Sequence, residues 1–179
     1  MSELQIRPTI ANDLTRLVGI DHTVTSEAVW QLEFRRDTGQ VATTFREVRL
    51  PRSIQVAYPH NHFALPDDWV NRSMMYTAVM DTDPVGYISM LERGAASTVW
   101  VLDLVVDVAY RRKGVAVALL TAGQAWAESR SHRRFILEAQ SKNLPAIRLA
   151  QKSGFEFCGY NDQYYLNKDV ALFFARVLK

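Results

Sequence analysis

The sequence lacks the residues that mark several large classes of protein. It has one cysteine, Cys158, in 179 residues, which excludes an intrachain disulfide framework and a zinc site built from several cysteines. No apolar run approaches the ~20 residues that a membrane-spanning helix needs. The stretch Met1 to Pro8 lacks the basic-then-apolar pattern of a signal peptide. We therefore expect a cytoplasmic protein with no membrane partner.

The chain also lacks a strong excess of charge of either sign. Lysine and arginine number 21 against 19 aspartates and glutamates, a formal net charge of +2. A nucleic-acid-binding domain is expected to carry a stronger basic patch, so we predict no nucleic acid partner. His60 and His62 are spaced like two metal ligands, but no third ligand is evident, and we predict no metal. The length suits one domain, residues 1–179, with a full hydrophobic core.

Hydrophobic patterning predicts a meander of strands that leads into strand–helix–strand–helix, which favours one mixed α/β sheet. Helices are predicted near 13–18, from about Arg112, and from Asn143 to Gly154, with a helical turn near 67–70 and a loop over 51–66. A β-hairpin is predicted over 29–50, and further turns at 81–84 and 94–96. The predicted strands are 4–7, 29–34, 41–48, 74–80, 85–91, 98–106, 135–139 and 170–178.

The strongest local signal is a basic turn, Arg111-Arg112-Lys113-Gly114-Val115-Ala116, between a buried strand and an amphipathic helix. A helix N-terminus offers unpaired N–H groups and a partial positive charge, which suit a pyrophosphate. Gly114 lets the backbone approach an anion closely, and the three cations add charge-assisted contacts. A solvated basic helix start fits these residues equally well, and the Gly-Lys-Ser/Thr ending of a P-loop is absent.

Two segments, in order, resemble the GNAT superfamily of N-acetyltransferases. Residues 104–116 are similar to its acetyl-CoA signature, in which a strand precedes Gln/Arg-x-x-Gly-x-Gly/Ala at the start of a helix. Residues 143–155 are similar to its second segment, Asn-x-x-Ala-x-x-x-Tyr…Gly-Phe. The resemblance implies an α/β GNAT fold: a mixed, mostly antiparallel central sheet flanked by helices and splayed at the acetyl-CoA strand. It also implies an acyltransferase that uses acetyl-CoA as its acetyl-donor cosubstrate.

The same resemblance implies which residues hold acetyl-CoA. The main chain of 104–106 is expected to pair with the pantetheine arm and to offer an amide to the developing oxyanion. Residues 112–117 are expected to surround the pyrophosphate, and the Asn143 side chain is expected to touch the pantetheine region. The candidate cofactor-binding residues are Leu104, Val105, Val106, Arg111, Arg112, Lys113, Gly114, Val115, Ala116, Val117 and Asn143.

Two carboxylates on predicted buried strands are candidates for handling the acceptor amine. Amide formation needs a neutral amine, and an alkylamine is mostly protonated near pH 7, so a base is required. Asp103 must be paired or face a polar cleft, because an unpaired buried charge is costly; amine recognition and a salt bridge to a neighbour both fit. Glu138 follows the same logic and matches a glutamate that similar N-terminal acetyltransferases carry as a base, although a structural role fits as well.

The proton donor is where the sequence departs from the family. The tyrosine of the second segment would fall at position 150, where this chain has Ala150. The local replacements are Tyr160, Tyr164 and Tyr165, of which we take Tyr164 and Tyr165 as catalytic candidates; each also fits a packing role. Cys158 is expected to be a small core residue rather than a nucleophile.

Residues 154–165 further resemble the streptothricin (nourseothricin) acetyltransferase group, which carries Gly-Phe-x-x-x-Gly-x-Asp-x-x-x-Tyr there. Tyr165 matches the final tyrosine, whereas Asn161 replaces the aspartate and the group's acidic loop is replaced by 59–68. This resemblance implies a small polycationic amine substrate such as a streptothricin-like antibiotic. Transfer to a protein N-terminus or lysine, and a non-catalytic acetyl-CoA-binding module motivated by Ala150, stay open. A homodimer is compatible with the sequence, although no seam is evident.

Overall fold

A computed structural model describes residues 3–93 and 97–179, so the turn predicted at 94–96 lies outside the described residues. Single 3₁₀ turns occupy His62–Ala64, Trp69–Asn71 and Val108–Tyr110. The other elements are β1 (Leu4–Pro8), α1 (Ala11–Val18), β2 (Val24–Asp37), β3 (Gln40–Val56), α2 (Leu65–Asp68), β4 (Met74–Met80), β5 (Asp83–Arg93), β6 (Thr98–Val106), α3 (Val115–Ser129), β7 (Arg134–Gln140), α4 (Leu144–Lys152), β8 (Glu156–Asn161) and β9 (Ala171–Val177).

The main sheet contains seven strands in the order β1-β4-β5-β6-β7-β9-β8. The β6–β7 pair is parallel, and the other neighbours are antiparallel. β6 is the central strand, as its nearly continuous apolar sequence predicts. β2 and β3 form a separate hairpin. The predicted mixed, mostly antiparallel α/β fold is confirmed.

Helices cover both faces of the main sheet. On one face, α3 and α4 bury Leu119 and Ile147 in a core that includes Ile88 of β5. On the other face, α1 and α2 bury Leu17 and Leu65 in a second cluster. The second cluster is smaller, and it includes Tyr87 and Val105 from the sheet. The face under α1 and α2 is therefore less thoroughly covered by apolar side chains.

Strand β6 changes the face that its side chains address at Leu102. Val101 pairs with Met90 of β5 and Asp103 pairs with the preceding residue, Ser89, so Leu102 is an extra residue, a β-bulge. Side chains alternate along a strand, so without a bulge Val101, Asp103 and Val105 would share one face. Instead Val101 packs in the cluster under α3 and Val105 in the cluster under α1. The bulge thus turns Asp103 away from α3.

The sheet opens beside this bulge. The β6–β7 ladder runs from Thr98 opposite Arg134 to Val101 opposite Leu137 and ends there, although both strands continue. Glu138 is the next residue of β7, and Asp103 follows the bulge in β6. The predicted splay at this strand is therefore present, and the two candidate carboxylates lie on opposite sides of its opening.

Some predicted boundaries are wrong, for local reasons. Residues 51–56, predicted as loop, continue β3, because Pro51 falls within a register shift between Ala28–Arg49 and Ser26–Ile54, where no ladder hydrogen bond is required of it. β8 was not predicted, because it is a largely exposed edge strand without an apolar pattern.

Helix ends follow the predicted capping with one change. Asn143 caps α4 by accepting a hydrogen bond from the Ala146 N–H at 3.1 Å, and Gly154 follows the helix with φ of +77°. At α1, Asp13 begins the helix predicted near 13–18 but lies inside the observed first turn. Its carboxylate accepts the Ile10 N–H at 3.1 Å and binds the Arg7 guanidinium through two bonds of 2.7 and 2.8 Å.

Replacement of Gly123 by alanine is expected to destabilise the protein, although alanine is the better helix former. A Cβ on Gly123 would lie 2.8 Å from Met90 Sδ and 3.0 Å from Phe135 Cζ, both in the packed core. We expect overpacking to outweigh the gain in helix propensity and to lower the free energy of unfolding by about 1 kcal/mol or more. Urea unfolding measures this change.

Gly19→Ala is the matched control. Its Cβ would meet no atom closer than 3.5 Å, so we expect a change of less than about 0.5 kcal/mol. Equal effects of the two substitutions would contradict close packing of α3 on the sheet.

Candidate active site

The turn before α3 has the geometry of an anion site. Arg112 and Gly114 both have positive φ, +62° and +84°, and a Cβ at Gly114 would meet nothing within 4 Å. Arg112 and Lys113 are exposed beside the positive end of the helix dipole, where cations are unfavourable. A bound anion would offset the repulsion, and the open approach at Gly114 leaves room for it. These residues therefore fit a phosphate group.

The Arg111 guanidinium bonds two backbone carbonyls and does not face the anion site at the start of α3. Its Nε donates to the Val106 carbonyl at 2.8 Å, and its Nη2 donates to the Asp21 carbonyl at 2.7 Å. Arg111 thus ties the end of β6 to the segment after α1. Lys113 Nζ lies 5.2 Å from the Tyr110 ring centroid.

The other candidate cofactor residues line the split or the start of α3. Leu104 is half-buried, Val105 and Val106 are buried, and the β6–β7 ladder has ended before them, so their main chain can pair with an extended ligand. In the first turn of α3, Val115 is buried, Ala116 half-buried and Val117 exposed. The Asn143 side-chain oxygen is engaged in capping α4.

The Glu138 side chain is buried, and one of its carboxylate oxygens has no hydrogen-bond partner among the described residues. Its side chain is 1% exposed, and its Oε2 accepts a hydrogen bond from the Tyr164 hydroxyl at 3.2 Å. Its Oε1 is buried and accepts no hydrogen bond from the described residues. The nearest cationic candidate is His60, whose Nε2 lies 3.6 Å from Oε1.

Tyr164 and Tyr165 lie beside Glu138, so the structure brings three of the four predicted catalytic residues together. The two tyrosine rings are 5.0 Å apart. Burial, together with the charge of Glu138, raises the pKa of both phenols, that of Tyr165 far more. Tyr160 lies elsewhere: its hydroxyl bonds Thr43 Oγ1 of the hairpin at 2.9 Å. Tyr165 therefore keeps its proton at neutral pH, next to a carboxylate.

Asp103 is buried and paired. Tyr58 donates to its Oδ1, Ser89 donates to its Oδ2, and Arg72 Nη2 lies 3.8 Å from Oδ2. Burial, with the charge of Asp103, raises the pKa of Tyr58 well above its ordinary value. The salt bridge that the sequence left open thus exists, and both carboxylate oxygens are occupied.

Sequence reasoning missed the segment from Tyr58 to His62, which was predicted as plain loop. Tyr58 binds Asp103 and His60 lies beside Glu138, whereas His62 packs against His22 outside the site; the i, i+2, i+4 spacing of these aromatic side chains was the available signal. The Tyr58 and His60 ring centroids are 5.6 Å apart, and His60 and Tyr165 are 5.7 Å apart. The segment therefore connects the surroundings of Asp103 to those of Glu138.

The buried His22 packs against this segment. Its ring stacks on His62 with centroids 4.1 Å apart. Its Nδ1 lies 2.6 Å from the Ile20 carbonyl, and its Nε2 lies 3.0 Å from the Tyr87 hydroxyl. A neutral ring that donates from Nδ1 and accepts at Nε2 satisfies both contacts. Burial lowers the pKa of His22 below its ordinary value.

Two expectations concern residues outside this cluster. Cys158 was expected in the core, which is wrong: it is exposed on edge strand β8. Ala150 is buried under α4 in the main core. No group of three or more His, Cys, Asp or Glu in the described part of the chain is placed to hold a metal ion. The described helices include none long and apolar enough to cross a membrane.

The neutral state of His22 predicts a pH dependence of stability. Between its lowered folded pKa and its unfolded value of 6.5, the unfolded chain binds more protons, so stability is lost as pH falls through this window. His22→Gln removes this loss. We expect the difference in unfolding free energy between parent and variant to be largest above the unfolded pKa and to shrink toward about pH 5.

Urea unfolding of parent and variant at several pH values tests this expectation. Other titrating groups contribute equally to the unfolding free energies of parent and variant, so their pH dependence cancels in the difference between the two proteins. A difference that stays constant from about pH 5 to about pH 8 would show that His22 is not held neutral by the fold.

Comparisons with known proteins agree with this geometry. The chain resembles streptothricin acetyltransferase of Escherichia coli at 34% identity over 98 residues, 52% of this chain and 53% of that protein, so the match spans about half the length of that relative. The crystal structure of nourseothricin acetyltransferase superposes with a TM-score of 0.83 at 23% identity, covering 98% of this chain and 99% of that one. A Bacillus anthracis protein in complex with acetyl coenzyme A gives 0.77 at 22% identity, covering 98% and 100%. The acetyltransferase (GNAT) family model matches residues 42–155, and the chain belongs to that family.

Proposed function

We propose that this protein transfers the acetyl group of acetyl-CoA to a primary amine of a small polycationic molecule, such as a streptothricin-like antibiotic. The observation that carries the proposal is the pair of buried carboxylates, Asp103 and Glu138, on opposite sides of the split in the sheet. Both lie next to the strands where a family member is expected to hold its acetyl donor. The description of the Escherichia coli relative supports the acceptor class.

The residues present fit acetyl-CoA. Arg112, Lys113 and the amides from Gly114 to Val117 would bind its pyrophosphate at the start of α3. The main chain of 104–106 is unpaired on the side that faces β7, and this edge would pair with the pantetheine arm. Asn143 would lie near that arm at the start of α4. Acetyl-CoA supplies the activated acetyl group. The complex of the similarly folded Bacillus anthracis protein with acetyl coenzyme A supports acetyl-CoA as the ligand.

The charges favour a cationic acceptor. Glu138 has one oxygen without a partner among the described residues, and its negative charge would attract an ammonium group without touching it, because the side chain is 1% exposed. Asp103 would act at longer range, because Tyr58, Ser89 and Arg72 already occupy its oxygens. The two buried carboxylates make the split in the sheet favourable for cations and unfavourable for acidic acceptors.

Tyr165 is the proposed donor of a proton to the departing sulphur. Its hydroxyl is protonated at neutral pH, and its ring lies beside the rings of Tyr164 and His60. Tyr164 would hold the Glu138 carboxylate through its hydrogen bond. The family position of the donor, Ala150, carries no hydroxyl.

Acetyl-CoA-dependent release of free thiol tests the proposal. The panel contains streptothricin, an aminoglycoside, a polyamine, a simple alkyl monoamine and short peptides with free N-termini. We expect turnover with the polycationic small molecules and a lower kcat/KM for the monoamine, since it carries a single positive charge to be attracted by the two carboxylates.

Other outcomes of this panel separate the alternatives. Turnover with peptides alone would replace the proposed acceptor by a protein. Calorimetric binding of acetyl-CoA without turnover of any amine would replace the proposed enzyme by a binding module.

Tyr165→Phe is expected to lower kcat about 10²-fold with little change in KM, because it removes one proton donor and no contact to an acceptor amine. The matched control is Tyr160→Phe, which loses a hydroxyl bonded to Thr43 of the hairpin and is expected to keep its kcat. Steady-state kinetics across pH measures both. An unchanged pH profile and kcat in the Tyr165 variant would leave the sulphur to depart unassisted.

A further inference from the structure

We propose that His60 is the catalytic base that removes the proton from the acceptor ammonium, and that Glu138 positions this imidazole. The inference rests on the proposed acetyl transfer to an amine. It assigns the base to a segment between β3 and α2, rather than to the glutamate that the sequence indicated.

His60 is accessible to solvent, and Glu138 is not. The Glu138 side chain is 1% exposed, whereas the His60 side chain is 36% exposed. A proton taken from an acceptor must afterwards reach water, and a sealed carboxylate offers it no exit. His60 is in contact with both the sealed carboxylate and the solvent side, so a proton can leave through it.

The His60 ring is oriented with its Nε2 toward Glu138. His60 Nε2 lies 3.6 Å from Glu138 Oε1, the oxygen that lacks a hydrogen-bond donor among the described residues. A small approach of the two atoms makes an Nε2–H donor bond, which leaves the lone pair of the neutral ring on Nδ1. The ring stands edge-on to Tyr58 and Tyr165, with centroids 5.6 and 5.7 Å away. Tyr58 is itself fixed to Asp103, so the ring is held on two sides.

The charged groups around His60 are two carboxylates and one guanidinium. It faces Glu138 from β7, Asp103 from β6 and Arg72 from the segment before β4, together with the phenols named above. Burial by itself would lower the pKa of His60, and Arg72 adds to this; the carboxylates of Glu138 and Asp103 outweigh both and raise it. An imidazole whose pKa is raised in this way is a stronger base than an ordinary carboxylate.

His60, Tyr165 and water account for every proton in the reaction. Nδ1 of His60 takes one proton from the ammonium. The freed amine nitrogen forms its bond to the acetyl carbon as the carbon–sulphur bond breaks. Tyr165 gives its proton to the sulphur, and the second proton that leaves the nitrogen restores the Tyr165 hydroxyl, while His60 returns its own proton to water. One proton is released for each amide and thiol formed.

Two measurements on the intact protein test this inference. The first follows the His60 imidazole by NMR titration without any substrate, with the resonance assigned by its loss in His60→Gln. We expect a pKa above the ordinary value in the parent and a lower one in Glu138→Gln, because the carboxylate charge that raises it is gone. An unchanged His60 pKa in Glu138→Gln would overturn the pairing.

The second measurement is the pH profile of acetyl transfer to the best amine of the panel. The parent should lose kcat/KM on the acid side with the pKa that NMR assigns to His60. His60→Gln should lower kcat about 10²-fold or more and remove this limb. His62→Gln is the matched control: its ring stacks on His22 rather than facing Glu138, and its profile should match the parent.

The outcomes separate this inference from the function on which it rests. A parent that acetylates amines, with a His60→Gln variant of unchanged rate and profile, overturns the base and leaves the function standing. A parent that acetylates no amine overturns both.

Discussion

One extra residue in β6, Leu102, controls the geometry on which the site depends. The bulge lies one residue beyond the last β6–β7 pair, where the central sheet divides. Strict alternation would have pointed Asp103 into the apolar core under α3, where an unpaired charge would cost several kcal/mol. The bulge turns it to the face under α1 and α2 instead. The same strand therefore leaves an unpaired main-chain edge toward β7 and places a carboxylate beside that opening, two features that a regular strand could not combine.

The buried charge then organises its surroundings. Asp103 needs donors, and it takes them from Tyr58, Ser89 and Arg72, which come from three different parts of the chain. Binding Tyr58 fixes the segment that follows β3, and the ring two residues later, His60, is thereby held next to Glu138. The two carboxylates are thus linked through one short segment. Its position follows from satisfying buried polar groups and from the packing of Tyr58 against the apolar cluster under α1 and α2.

The sequence could predict what depends on local patterning and not what depends on distant partners. β6, α3 and the Asn143 cap follow from apolar periodicity and capping chemistry. Asp103 and Glu138 could be found as charges within apolar strands. The segment 57–61 could not be placed, because its path is fixed by contacts with β6, β7 and the residues before β9. Tyr165 was favoured over Tyr160 only by the resemblance of residues 154–165, because patterning alone does not show that edge strand β8 carries Tyr160 to the hairpin while Tyr165 lies beside His60.

The replacement of the family tyrosine by Ala150 is consistent with this arrangement. Ala150 is buried in the core under α4, on the side of the sheet away from Asp103. In the proposed reaction the base and the proton donor then both come from the opposite face, from His60 and Tyr165, whose rings are in contact. Protons would enter and leave on one face while the anion site at α3 lies at the far end of β6. A tyrosine at position 150 would be redundant in such a site, and a small side chain there lets α4 pack closely on the sheet.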